Sequence, residues 1–84
     1  MDIFIKIARR PYDRLRSHIP AESAAHEAVE RASRIEHSVE GVLFAGYSIS
    51  CNEEQARIIL ETAKQVCPEI IPDIQRAMIA AGSV

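Results

Sequence analysis

The chain has 84 residues, of which 48% are hydrophobic, and its formal net charge is −2 at pH 7. This length excludes two domains of ordinary size, and this hydrophobic fraction excludes an intrinsically disordered chain. We therefore expect one folded domain over residues 1–84. Because so short a chain buries a modest share of its surface on folding, its core alone is marginal, and we expect a homodimer.

The charge is unevenly distributed along the chain. Residues 1–18 hold five basic and two acidic residues, whereas the remaining chain holds five basic and ten acidic residues. The five basic side chains, which are candidate contacts for nucleic acid or another anion, are Lys6, Arg9, Arg10, Arg14 and Arg16. This asymmetry indicates either a basic arm or a segment that docks on its own acidic remainder, and we favour a solvated or intramolecular charged surface over a nucleic-acid contact.

The sequence shows no sign of a membrane segment. The first residues lack the basic start and the long apolar stretch of a secretory signal. No apolar run approaches the roughly 20 residues that are needed to cross a bilayer. We expect a cytoplasmic protein that does not contact a membrane.

The N-terminal pattern permits two structures. The apolar residues between Ile3 and Ile7 suit either a short strand or a helical turn. Pro11 is well placed in the first turn of a helix, because its ring favours a helical φ and it needs no amide donor there. This helix would carry Tyr12 and Leu15 inward and would end before Pro20.

An alanine-rich pattern with helical spacing follows Pro20. Its apolar positions are Ala24, Ala25, Ala28, Ala32 and Ile35. Val39, Val42 and Leu43 continue this pattern, which predicts a helix to about Ala45 with Gly46 as its C-cap. In the alternative, the helix ends near residue 37 and the stretch VLFAGYSI forms a short strand.

The clearest pattern is an amphipathic helix over residues 53–67. Ser50 or Asn52 can cap its N-terminus, and Glu53 or Gln55 can complete a capping box. Pro68 predicts its end.

A second helix is predicted from about residue 69 or 71 to residue 81, with Gly82 as a stop. Ile58 and Ile79 fall outside the apolar stripes of these two helices. They therefore leave apolar surface that an intersubunit contact could cover.

The sequence indicates no catalytic, metal or cofactor site. His26 and His37 are eleven residues apart, and the chain lacks the Cys and His spacings of zinc sites. If the residues between them are helical, Cys51 and Cys67 lie too far apart for a disulfide, so we expect reduced thiols. Cys51 at a helix start could be reactive, but we favour a structural role.

These patterns predict an all-α fold, a compact bundle of about four short helices. The alternative is an α+β fold with short strands near residues 2–7 and 42–49. We expect a non-enzymatic protein–protein interaction module, such as an adaptor, a regulator or a small subunit of a larger assembly. Its candidate interface residues are Phe44, Tyr47, Ile58 and Ile79. The alternative function is a small nucleic-acid-binding regulator that uses the basic N-terminal segment.

Overall fold

The structure is a computed structural model that describes residues 2–82, apart from the side chains of residues 37, 39 and 44. In chain order the elements are β1 (Ile3–Ala8), α1 (Arg9–His18), α2 (Ala25–Glu30), β2 (Ser33–Val39), β3 (Val42–Cys51), α3 (Glu53–Val66), a 3-10 turn (Pro68–Ile70) and α4 (Ile71–Ala80).

The three strands form one antiparallel sheet in the order β1-β3-β2. Residues 42–48 of β3 pair with β2, from Val39 opposite Val42 to Ser33 opposite Ser48. Residues 46–51 of β3 pair with β1 on the other side, from Ala8 opposite Gly46 to Ile3 opposite Cys51. β1 and β2 therefore run parallel to each other with β3 between them, which is the split β-α-β arrangement.

The predicted all-α bundle is wrong, and the α+β alternative is confirmed. The error lies in the predicted long helix, because α2 ends at Glu30 and the chain then forms a hairpin. The hairpin turn is made by Glu40 and Gly41, whose φ angles of 51° and 82° are both left-handed. Such turns match the twist of paired strands, whereas a helix admits neither angle. Gly46 consequently lies inside β3 and is not a helix C-cap.

The other helix predictions are largely confirmed. α1 buries Tyr12 and Leu15 as expected, although it begins at Arg9, two residues before Pro11. α3 starts with a complete capping box, in which the Asn52 side chain accepts from the Gln55 amide at 2.8 Å and the Gln55 side chain accepts from the Asn52 amide at 2.9 Å. The residues before α1 are a strand.

The hydrophobic core lies between the sheet and the helices. α4 packs on β1, α1 and α2 pack on β3, and α3 packs against α1, α2 and α4. The largest fully buried side chains are Ile3, Ile5, Leu15, Val29, Ile49, Ile59, Cys67 and Ile74. Within residues 2–82, no helix has the length and apolar character needed to cross a membrane.

Candidate interaction site

Along β1, the sheet has one face covered by helices and one face without them. On β1, Ile3, Ile5 and Ile7 are buried, whereas the intervening Phe4 and Lys6 are exposed. Since successive side chains of a strand point to opposite faces, the helices cover the isoleucine side only. We call the other side, which carries Phe4 and Lys6, the open face. Phe4 is 55% exposed there.

β1 is an edge strand of the sheet. Along residues Ile3–Ala8 it pairs with β3, and in the part of the chain that the structure describes its other edge has no strand partner. β1 contains neither proline nor a bulge, and Lys6 is its only charged residue. It therefore lacks most of the features that keep the edge strands of natural sheets from pairing with other chains.

A groove follows this unpaired edge. Its lining combines two residues of β1 with one side of α4: Phe4, Lys6, Asp73, Arg76, Ala77 and Ala80. Phe4 and Lys6 lie on the open face, whereas α4 belongs to the helical layer. A groove that touches both must pass around the outer edge of β1, because β3 occupies the inner edge. We call it the edge groove.

The edge groove has a polar rim and small apolar side chains on its helical wall. Arg76 and Asp73 form an ion pair at 3.2 Å on the exposed surface of α4. Ala77 and Ala80 are small, so that the space between α4 and the strand is not filled by the chain itself. The arrangement offers the backbone donors and acceptors of a strand edge beside a pocket for side chains.

The structure does not bring the predicted interface residues together. Tyr47 is half-buried on β3, where its ring stacks on Tyr12 with the ring centres 3.9 Å apart. Ile58 on α3 is half-buried and packs against the core. Ile79 on α4 is 62% exposed. Phe44 belongs to β3, but its side chain lies outside the described part of the structure.

Three of the four arginines near the N-terminus pair with acidic residues of the same chain. Arg14 bonds Glu69, and Arg9 lies 3.9 Å from Asp13. Glu69 lies in the acidic remainder of the chain, whereas Asp13 lies within the basic segment itself.

The third pair joins Arg16 to Glu30, with 2.9 Å between a guanidinium nitrogen of Arg16 and a carboxylate oxygen of Glu30. The hydrogen bond from Arg16 lowers the pKa of the Glu30 carboxyl.

The five candidate cations are divided among separate places. Three arginines line one groove, which we call the arginine groove; its lining is Ala8, Arg9, Arg10, Pro11, Arg14, Ala45 and Glu69. Lys6 instead lines the edge groove, and Arg16 bonds Glu30. Within residues 2–82, Arg10 forms no ion pair. The cations therefore do not form one continuous basic track.

Both cysteines are free and buried. Burial raises the pKa of the Cys51 thiol to about 11, and burial also raises the pKa of Cys67. A thiol with a raised pKa is protonated at neutral pH and is a poor nucleophile. Among the residues described, no group of three or more His, Cys, Asp and Glu side chains is arranged to hold a metal ion.

Phe4 lines the edge groove, but it is not one of the interface residues that the sequence predicts. The alternation of IFIKI was its signal, because a strand with isoleucines inward must place Phe4 outward. That signal was ambiguous while the segment could also be a helical turn.

No protein-family model matches the chain, and no curated protein or solved structure matches it either. Its function must therefore be inferred from the geometry.

Proposed function

We propose that the chain is a non-enzymatic protein-interaction module that binds an extended protein segment by adding it to the sheet at β1. The observation that carries this proposal is the unpaired outer edge of β1 beside the edge groove. In strand addition, main-chain hydrogen bonds supply affinity, and pockets for alternate side chains supply specificity. The β1 edge supplies the first requirement and the edge groove supplies the second.

The chemistry of the edge groove defines the preferred segment. A strand laid along β1 would place every second side chain toward Phe4 and Lys6 and the others toward α4. Ala77 and Ala80 leave room for an aliphatic side chain, and the exposed ring of Phe4 offers apolar contact. The preferred partner is a strand in which aliphatic residues occupy alternate positions.

The test uses a labelled peptide with the sequence of residues 2–9, DIFIKIAR, because this segment has the required alternation. The protein is titrated at nanomolar peptide concentration and binding is followed by fluorescence anisotropy. We expect saturable binding. Two further peptides carry N-methyl groups on the backbone amides of every second residue, one at odd-numbered and one at even-numbered positions, and one of the two should lose binding. Methylation removes the donors that pair with a neighbouring strand.

Two protein variants locate the binding. Ala80→Phe fills the edge groove and should weaken peptide binding, whereas Ala21→Phe adds the same bulk at an exposed position outside it. If the peptide shows no saturable binding at protein concentrations at which the chain is monomeric, or if both variants bind it equally, the proposal is wrong.

The arginine groove supports a second candidate function, the binding of a nucleic-acid backbone. Only three guanidinium groups line this groove, and two of them also pair with carboxylates. With three phosphate contacts, the logarithm of the affinity for duplex DNA should fall with the logarithm of salt concentration with a slope of about −2.7. Anisotropy titrations with duplex and single-stranded oligonucleotides test this slope. Arg10→Gln should weaken binding, whereas Arg31→Gln, at the exposed residue that follows α2, is the control.

A further inference from the structure

We propose that the strand added to β1 is β1 of a second copy of this chain, so that two sheets join into one six-stranded sheet across a two-fold axis. This inference rests on the proposed function, since it names the partner that occupies the same edge. A two-fold contact uses the same surface patch on both subunits, so the patch must be complementary to itself. β1 meets this condition in one register.

The two edges of the sheet differ in how well they are protected. β2, the strand at the opposite edge of the sheet, carries the exposed charged side chains Arg34 and Glu36. β1 carries one charge in six residues and has three isoleucines on its buried side. Since inward and edge charges discourage strand pairing, β1 is the edge at which a second sheet is accepted.

The face of each side chain limits the possible registers. In an antiparallel pair, directly opposite residues lie on the same face of the sheet. A register that pairs odd with even positions would oppose Ile5 to Lys6 and would place isoleucines on the open face. Two registers then pair five residues of each copy. One is centred on Ile5 opposite its counterpart, and the other is centred on Lys6 opposite its counterpart.

Charge selects between these two registers. Centring on Lys6 opposes two ammonium groups directly, which is destabilising. Centring on Ile5 opposes Phe4 to the partner's Lys6, and Lys6 to the partner's Phe4, on the open face. An ammonium group beside an exposed aromatic ring is a favourable cation–π pair, and the two-fold axis produces it twice. On the helical side, the opposed positions are isoleucines, which are buried in their own subunit and bring no charge to the contact.

Disulfide trapping tests the register directly. Phe4→Cys and Lys6→Cys are made as separate variants, since both positions are exposed, and the native cysteines are buried. In an equal mixture under mild oxidation, we expect a linked heterodimer with the combined mass of the two variants. Each variant alone should link slowly, because its two cysteines lie on a diagonal with about 7–8 Å between them. Rapid linking of Lys6→Cys alone would overturn the register.

Charge exchange tests the same contact without thiols. Phe4→Lys opposes lysines twice across the two-fold axis and should weaken dimerisation at least about tenfold in sedimentation equilibrium. The double variant Phe4→Lys with Lys6→Glu opposes unlike charges and should restore the dimer. Failure of this rescue, with both variants folded by circular dichroism, would overturn the inference.

The outcomes separate this inference from the proposed function. If the protein stays monomeric at high micromolar concentration but binds the peptide of residues 2–9, the edge accepts a strand and the second copy is not its partner. If it neither dimerises nor binds the peptide, both proposals fail. If it dimerises and the mixed cysteines do not link, the copies join elsewhere.

Discussion

Tyr12 connects three parts of the fold. Its hydroxyl donates a hydrogen bond of 2.6 Å to the Val29 carbonyl at the end of α2, and its ring stacks on Tyr47 of β3. The residue itself belongs to α1 and is buried. One side chain therefore holds the position of the short helix α2 relative to the sheet.

Removal of the Tyr12 hydroxyl should destabilise the protein. Tyr12→Phe keeps the ring but leaves the Val29 carbonyl without its partner, so we expect the free energy of unfolding to fall by about 1–2 kcal/mol. Urea denaturation measures this change. Tyr47→Phe is the matched control, because within residues 2–82 the Tyr47 hydroxyl makes no hydrogen bond, and its change should be much smaller. Equal losses in both variants would contradict the role assigned to the Tyr12 hydroxyl.

The ion pair of Arg16 and Glu30 should make the stability of the fold depend on pH. The hydrogen bond from Arg16 lowers the pKa of Glu30 from its ordinary value of 4.5, so the folded state binds this proton less tightly than the unfolded chain does. The stabilisation is therefore complete above the ordinary pKa and is lost as the pH falls through the lowered value. Since the pair is exposed, the effect is modest and shrinks in high salt.

Denaturation series between neutral pH and about pH 3 test this dependence. Glu30→Gln should lose less stability on acidification than the unchanged chain does. Glu22→Gln is the control, because Glu22 is exposed and forms no ion pair within residues 2–82. A Glu30→Gln profile parallel to that of the unchanged chain would show that the pair does not contribute.

At the scale of elements, the hairpin of β2 and β3 depends on its two-residue turn. Gly41→Ala forces a residue with a Cβ into φ 82°, at a cost of about 1–2 kcal/mol in the free energy of unfolding. An added Cβ would meet no atom of another part of the chain within 4 Å, so this loss comes from local backbone strain and not from a clash with surrounding residues. Glu40→Asn should have the opposite sign, since asparagine tolerates left-handed angles better. Thermal denaturation of both variants checks the prediction, and a neutral Gly41→Ala would contradict it.

The hairpin also shows which elements could be predicted from the sequence. α3 was predictable because its apolar spacing, its capping box and Pro68 all indicate the same helix. Residues 24–35 carry a helical spacing of alanines, but alanine fits many surroundings, and only Ala25–Glu30 becomes α2. The turn at Glu40 and Gly41 lacks the Asn-Gly or Asp-Gly pair that indicates a hairpin most strongly. Local preference did not distinguish a long helix from a hairpin here, and the pairing of β2 with β3 determined the structure.

At the scale of the whole molecule, the candidate site depends on elements that are distant in the sequence. The edge groove joins β1 to α4, which lie more than sixty residues apart in the chain. Helical spacing located Ile79 on the exposed side of α4, and it is 62% exposed. The same reasoning could not identify Phe4, because its exposure depends on β1 being an edge strand. An edge is a property of the assembled sheet, not of any one segment.

A chain that joins its sheets at β1 should melt at a temperature that rises with its concentration. Unfolding then includes dissociation, so a tenfold increase in concentration stabilises the folded dimer by about 1.4 kcal/mol. For a dimer of this size, that should raise the Tm by about 3–5 °C. Differential scanning calorimetry over two decades of concentration measures the shift.

Phe4→Lys gives the matched comparison for this shift. Its substitution lies at an exposed position, so its fold should persist while its dimer is weakened, and its Tm should vary much less with concentration. A Tm that is independent of concentration in the unchanged chain would mean that each copy folds alone, with its β1 edge open to other partners. An equal concentration dependence in both proteins would instead place the contact between copies away from β1.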